Sequence, residues 1–557
     1  MGSWLVLALS CIFFILVESG KICEKDVVVS TSTGSVKGCY TAERTFGKRK
    51  PLYWFRSIPF AEPPVGDLRF APPQPKKNWT GVIDVSEKMS ECVQGSDPVT
   101  GSEDCLYLKV YTTKAPKRTN NLPVMVWIYG GAFLGGSADF SDHAPDHLLD
   151  EDVIVVSFHY RVGVFGFLST GDSVVPGNNG IKDQILALKW IKANIRNFGG
   201  DPEKITVFGQ SAGAAAISYL LQTNETKGLF QKAIIQSGSS LSSWALSRSA
   251  PALVSSIAGA LEIPGKSSEE MVQGLRSVSA ELLQSTASSE MTKQLVSSNP
   301  LNGLVYGPVI EPDLPGAVIT GKSHELLSEG KFHDIPLMVG YTSLEAMFGS
   351  ISALIRVWLA KYDTNPTLLV PPSMNTGSVT KSLIAPSLKR KYFGLIPIAI
   401  SSKKTMRFVS DDQFERPIQE AIRLYSAKSK VYFYRFSYQG GLYGITDRPA
   451  DGVGHTEDLG YVFHFGYNGT EQDRRVRSQV VRMWTNFAKE GNPTPREDPL
   501  LGSVTWQPNG QNLEGNNDLV CLDIDAEITT VVNPNKANME YWSSLYSKHG
   551  KPPYDTY

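Results

Sequence analysis

The strongest limit on the fold comes from two continuous apolar runs, residues 124–129 and 153–158, with another short run at 205–208. None shows the regular polar alternation of a half-exposed strand. Strands of this kind are buried on both faces and belong to parallel sheets covered by helices. Between Gly180 and Arg196, the apolar residues Ile181, Ile185, Leu188, Ile191 and Ile195 recur in steps of three and four, which marks one face of a helix. A helix-compatible stretch covers 212–221, and strand-like runs follow at 233–235, 335–339 and 431–434. The alternation predicts an α/β fold with a large, mostly parallel central sheet and helices on both faces. The first hundred residues differ. They carry hairpin patterning, with a turn at Thr33-Gly34, and many prolines between Pro51 and Pro75. Two serine-rich stretches, 237–249 and 277–289, are mixed with Leu and Ala and read as helical excursions.

A chain of 557 residues suggests three or four domains by length alone. No low-complexity linker or internal repeat divides it, so one large domain over 20–557 is expected instead. With 54 Lys+Arg against 55 Asp+Glu, the net charge is -1. Such a chain has no broad positive field, and a nucleic-acid partner is not expected. At 41% hydrophobic residues it can bury a large core. Residues 5–17 are almost purely apolar but too short to span a bilayer comfortably, and Val17 and Ser19 place small residues around a cleavage point. Residues 1–19 are therefore read as a secretory signal. The rest of the chain has no second apolar stretch of membrane length, and its C-terminus is polar, so the mature chain is expected outside the cell without a stable membrane anchor.

Three glycosylation sequons, at Asn78, Asn224 and Asn468, agree with that compartment. Cys11 leaves with the signal. Cys92 and Cys105 flank a turn-rich segment and form the best disulfide pair, worth about 3 kcal/mol in the chain-entropy model. Cys23 and Cys39 are a second candidate pair across an N-terminal hairpin. Cys521 lies in an apolar run and reads as a buried thiol. No Cys/His spacing suggests zinc, and no metal or other cofactor is expected.

Gly209-Gln210-Ser211-Ala212-Gly213 directly follows the 205–208 run and precedes the 212–221 stretch. A strand–turn–helix setting is what a G-x-S-x-G nucleophile elbow requires. Glycines permit the sharp turn and close backbone approach, and the helix start directs amides and dipole at developing negative charge.

Residues 198–213 match the long serine signature of the type-B carboxylesterases at every fixed position. The second signature is present at 103–108 and departs at Lys109, where the family usually has Asn or Asp. Further similarity runs through 58–66, 176–180 and 483–493. The chain thus resembles this family over nearly its whole length, most closely the secreted insect carboxylesterases. The segments 249–301 and 351–411 are the least recognisable. The resemblance implies an α/β-hydrolase fold and a Ser–acid–His triad.

A serine hydroxyl needs a general base. Of eight histidines, His455 lies in a glycine-bounded loop after the 431–434 run, and it resembles the family's catalytic histidine, with Asp458 in the usual acidic place. His464, between Phe463 and Phe465, reads as a packed core histidine. Chain order in this fold is nucleophile, acid, base. Glu345 follows the 335–339 run and resembles the triad glutamate, although Ala346 replaces a customary Gly. It should orient His455 and stabilise the imidazolium. Gly130-Gly131-Ala132 follows the 124–129 run. By resemblance, the amides of Gly131, Ala132 and Ala212 form the oxyanion hole; Ala132 stands where the family has a third glycine, and its methyl narrows the acyl side. The phosphate-cradle alternative lacks the Lys-Ser/Thr ending of a P-loop.

The implied reaction is hydrolysis of a small-molecule carboxylic ester to an alcohol and a carboxylate through an acyl-enzyme. Three alternatives weigh against it unevenly. A cholinesterase carries a cation-recognising Trp in the loop closed by the Glu-Asp-Cys cysteine, but residues 93–104 contain none. A juvenile-hormone esterase shares the Gly-Gln-Ser-Ala-Gly elbow, as do general insect esterases. A non-catalytic adhesion relative would have lost the serine or its partners, and all three are present.

Overall fold

The computed structural model describes residues 23–44, 50–139, 144–299, 301, 303–347, 353–443, 448–510 and 518–557. The expected signal, residues 1–19, lies outside the described residues, as do Cys11 and His143. Among the described residues, fifteen strands occur in chain order: β1 (Lys25–Ser30), β2 (Ser35–Thr41), β3 (Leu52–Pro59), β4 (Val82–Asp84), β5 (Gln94–Gly95), β6 (Val99–Thr100), β7 (Tyr107–Thr112), β8 (Leu122–Ile128), β9 (Ile154–Phe158), β10 (Gly200–Gln210), β11 (Lys232–Gln236), β12 (Leu337–Thr342), β13 (Val431–Phe436), β14 (Val520–Ile524) and β15 (Thr529–Val532). Thirteen of them form one sheet, ordered β1-β2-β3-β7-β9-β8-β10-β11-β12-β13-β14-β15 with β4 beside β2. From β9 to β14 every neighbouring pair is parallel, while β1-β2-β3-β7-β9 and β14-β15 pair antiparallel.

All six apolar runs are strands of the parallel block, and helices cover it. The predicted amphipathic segment is the helix Asn179–Asn194, whose Ile181, Ile185, Leu188 and Ile191 are buried. In the sheet core, the Trp127 ring of β8 packs against Phe208 of β10 at 4.9 Å and against Phe463 at 4.7 Å. Phe463 lies just beyond the histidine loop, so this contact anchors that loop over the middle of the sheet. The N-terminal hairpin turns at Thr31–Gly34, where the Thr31 amide donates to the Gly34 carbonyl at 2.8 Å.

One serine-rich stretch departs from expectation. Residues 280–297 form the helix Ala280–Ser297, but 237–249 contains only the single turn Ser243–Ala245. Its backbone is committed elsewhere: Ser237 donates to the Gly340 carbonyl and Ser247 to that of Pro308, both at 2.8 Å. These long-range bonds replace the local ladder a helix needs.

Cys92 and Cys105 are bonded, with Cα atoms 5.0 Å apart, and so are Cys23 and Cys39. The Cys92–Cys105 loop folds on itself as the β5–β6 ladder. Cys521 is a buried free thiol whose pKa burial pushes up.

Candidate active site

Four segments converge because each follows the carboxyl end of a strand in the parallel block. A glycine loop follows β8, Ser211 follows β10, Glu345 follows β12 and the His455 loop follows β13. In open parallel sheets this edge collects ligands.

Ser211 sits at φ 57°, ψ −123°, between β10 and the helix Ala212–Leu220. A non-glycine residue held there carries about 1–3 kcal/mol of backbone strain, which the surroundings must impose. They do so through backbone groups. The Ser211 amide donates to the Gln236 carbonyl at 2.8 Å, and the Ala215 amide donates to the Ser211 carbonyl at 2.9 Å. The flanking glycines are sterically required: a Cβ on Gly209 would lie 2.6 Å, and one on Gly213 2.0 Å, from the Ile128 carbonyl oxygen. The glycine loop also presses close, since a Cβ on Gly130 would lie 2.9 Å from that of Ser211.

In that loop, Gly131, Ala132 and Phe133 take φ of 107°, 56° and 59°. Two successive non-glycine residues in the left-handed region need support. The Leu134 amide donates to the Gly131 carbonyl at 2.9 Å. Gln94, inside the Cys92–Cys105 loop, accepts from the Gly136 amide at 2.7 Å and donates to the Gly136 carbonyl at 3.1 Å. The disulfide loop thus braces the glycine loop. Behind it Lys109, fully buried, pairs with Asp139 at 3.1 Å and lies 3.4 Å from His159 Nδ1. The departure at Lys109 is therefore a buried cation with its own counter-charge.

His455 Nδ1 lies 2.6 Å from Glu345 Oε2. Glu345 is fully buried, and its Oε1 accepts from the Thr342 amide at 2.8 Å. On the other side of the ring, the Gln210 side-chain amide donates to His455 Nε2 at 3.1 Å. An NH2 group only donates, so Nε2 bears the lone pair and Nδ1 the proton. That is the tautomer a general base needs, with its acceptor nitrogen turned towards the residue preceding Ser211. The acid and histidine loops are stitched together, as Ser343 Oγ accepts from the Val453 amide and the Val453 carbonyl from the Leu344 amide, both at 2.9 Å. His464, by contrast, packs against His147, and burial pushes it down to about 4.

Sequence reasoning missed several supports. Phe414 packs on the His455 ring at 5.1 Å and against Trp244 at 5.7 Å. It belongs to the π-helical turn Asp411–Glu415, which Arg407 holds by ion pairs to Asp411 and Glu415 while donating to the Ser343 carbonyl at 3.2 Å. Ser410 accepts from the Ala346 amide at 2.9 Å. The acidic residues Asp411, Asp412 and Glu415 after Arg407 were a visible signal, but at the edge of a segment without recognisable motifs.

Asp458 lies beneath the site, fully buried, and accepts from Gln236 Nε2 at 2.9 Å. Burial, reinforced by the charge on Glu345, raises its carboxyl to about 6. The folded value stands above the roughly 3.9 of a free Asp, so its contribution to stability is present at low pH and is lost as pH rises through about 6. Asp458→Asn is neutral throughout and keeps an acceptor for Gln236. Its melting temperature is expected to exceed wild type at pH 8 by an amount worth up to about 3 kcal/mol, and the gain should shrink towards pH 5. Thermal unfolding of both proteins at the two pH values measures this; a gain independent of pH would contradict it.

Among the described residues, no cluster of three or more His, Cys, Asp or Glu could hold a metal ion. A cavity of about 1010 Å³ at the opposite, amino-terminal edge of the sheet is lined by Phe230, Pro336 and Asn224 and contains none of these site residues. Asn78, Asn224 and Asn468 are all exposed.

The sheet order and the strained serine elbow place the molecule among the α/β-hydrolases. Known proteins narrow that class. The model of the Carboxylesterase family matches residues 25–542. A carboxylic ester hydrolase of Bombus ignitus is 32% identical over 544 residues, spanning 93% of this chain and 94% of the relative. A juvenile hormone esterase of Tribolium castaneum is 32% identical over 561 residues, 91% and 92% of the two chains. Among solved structures, juvenile hormone esterase from Manduca sexta with covalently attached OTFP superposes with a TM-score of 0.81 at 28% identity, covering 94% of this chain and 100% of that one. The chain belongs to the carboxylesterase family and is a carboxylic ester hydrolase.

Proposed function

We propose that the protein is a secreted serine carboxylesterase in which Ser211, His455 and Glu345 perform a two-step acyl transfer. The observation that carries this reading is the 2.6 Å contact of His455 Nδ1 with the buried Glu345 carboxylate, beside the strained elbow of Ser211. Ser211 Oγ attacks the ester carbonyl and gives its proton to Nε2, displacing the Gln210 amide from that nitrogen. The amides of Gly131, Ala132 and Ala212 hold the oxyanion; losing one such donor typically costs about 100- to 1000-fold in rate. His455 then passes the proton to the departing alcohol oxygen. Water attacks the acyl-enzyme with the same base, and the carboxylate leaves.

Two disulfides, three exposed sequons and the N-terminal apolar segment support secretion of one domain from residue 20 onward, with residues 1–19 removed. No helix of the described residues is long and apolar enough to cross a membrane. A narrower reading, hydrolysis of a juvenile hormone, is favoured by the Manduca sexta superposition.

Purified protein should hydrolyse a simple chromogenic ester and, after an organophosphate, carry the adduct on the peptide containing Ser211. Labelling elsewhere would overturn the assignment. Comparing kcat/KM for acyl esters of increasing length, a choline ester and a juvenile hormone then decides the substrate class. A choline ester outpacing its neutral isostere would contradict the reading of the short, Trp-free Cys92–Cys105 loop.

A further inference from the structure

We infer that the segment 379–403, remote in sequence from the catalytic loops, is a docking surface for an anionic lipid membrane. Thirteen large apolar side chains are exposed among the described residues, and five of them fall here: Val379, Leu383, Leu395, Ile396 and Ile400. Leu395 and Ile396 are adjacent, so the exposure here is not that of a single scattered side chain. Leu395 is fully exposed. Its position is imposed by the fold. The helix Ser378–Tyr392 ends at Gly394, φ 65°, whose amide donates to the Lys389 carbonyl at 3.1 Å. Phe393 and Ile398 on either side are buried in a side core with Trp542 of the last helix. Asp363 accepts from the amides of Ile398 and Ala399 at 3.0 and 3.1 Å. Leu395 and Ile396 therefore form the tip of a pinned turn.

Charge identifies what covers this tip. Residues 377–404 hold six Lys or Arg and no Asp or Glu, in a chain whose net charge is -1. Lys389 is taken up by Asp363 at 3.1 Å and Lys404 by the Phe393 carbonyl at 3.0 Å. Arg390, Lys391 and Lys403 are exposed and Lys381 is partly so. Basic residues flanking an exposed apolar tip suit an anionic bilayer, where side chains enter the headgroup boundary and cations meet phosphates. A second copy of the chain fits worse, because a two-fold interface would set these cations against one another. The docking would be reversible adsorption, and it stands independently of the substrate assignment.

Cosedimentation with vesicles tests it. The full-length mature protein should bind phosphatidylcholine vesicles containing a minority of phosphatidylglycerol, and bind pure phosphatidylcholine much less. Added salt should release it. Combining Leu395→Ser, Ile396→Ser and Ile400→Ser should weaken partitioning at least about tenfold. Arg390→Gln and Lys391→Gln should each weaken it about fivefold. Turnover of a soluble chromogenic ester should stay at the wild-type value in every variant, which certifies folding. Equal binding to both vesicle types, or variants that bind like wild type, would overturn the inference. So would a wild-type dimer that ignores vesicles and becomes monomeric in the triple variant, which would assign the patch to a second copy.

Discussion

Ser211→Ala is expected to lower kcat on a chromogenic ester by roughly four to six orders of magnitude, the scale found for serine triads, and to abolish organophosphate labelling. The melting temperature should hardly change. The bonds that impose φ 57° on this residue run from its backbone amide to Gln236 and to its carbonyl from Ala215, so the elbow does not depend on the hydroxyl. Alanine occupies the same Cβ position, at the distance from Gly130 that the native residue already tolerates. The substitution thus separates chemistry from folding. Whatever activity persists measures the glycine-loop amides and substrate binding without a nucleophile. Hydrolysis near the wild-type rate would overturn the role of Ser211.

What could be read from sequence divides along a physical line. The runs that became β8 to β13 were legible because a strand buried on both faces must be apolar without alternation, whatever its neighbours are. The elbow was legible because its glycines answer to a local demand, the approach of Ile128 to Gly209 and Gly213, even though the collision itself could not be seen. Glu345 and His455 were singled out through resemblance and strand-end placement, and the structure brings them within 2.6 Å of each other. Strand limits were less legible: β10 starts at Gly200, ahead of the run at 205, because Gly200 pairs with Leu122 across a register shift. The Gln210 contact on the far side of the His455 ring, and the bracing of the glycine loop, were not legible. Gln210 reaches a ring nitrogen 245 residues away, and Gln94 grips Gly136 through a short disulfide loop. A glutamine has no periodicity that announces such a partner. Phe414 is the extreme case, since a π-helical turn held by Arg407 aims it at His455, and no local pattern specifies where a widened turn will point a side chain.

Replacing Glu345 by Gln removes no atom position yet should cost about 10⁴-fold in kcat, through the tautomer. The native carboxylate accepts twice, from the Thr342 amide on Oε1 and from His455 Nδ1 on Oε2. A glutamine offers one oxygen and one NH2 group. The Thr342 amide can only donate, so the oxygen must stay on that side, and the NH2 group then faces Nδ1. Two donors cannot share that contact in a fully buried site, so the ring must move its proton to Nε2. Nε2 then points an N–H at the Gln210 amide, which also donates, and the base has no lone pair for the Ser211 proton. Restoring the lone pair by turning the glutamine leaves Thr342 facing NH2, an unsatisfied buried donor in place of the first. Both arrangements are unproductive, and neither can stabilise an imidazolium as the carboxylate does. Nitrogen NMR of the His455 ring in wild type and Glu345→Gln, beside kcat for the chromogenic ester, checks each half of the chain. The proton should migrate from Nδ1 to Nε2 as activity falls. A variant that keeps its Nδ1 proton and near-native turnover would mean that another group orients the imidazole.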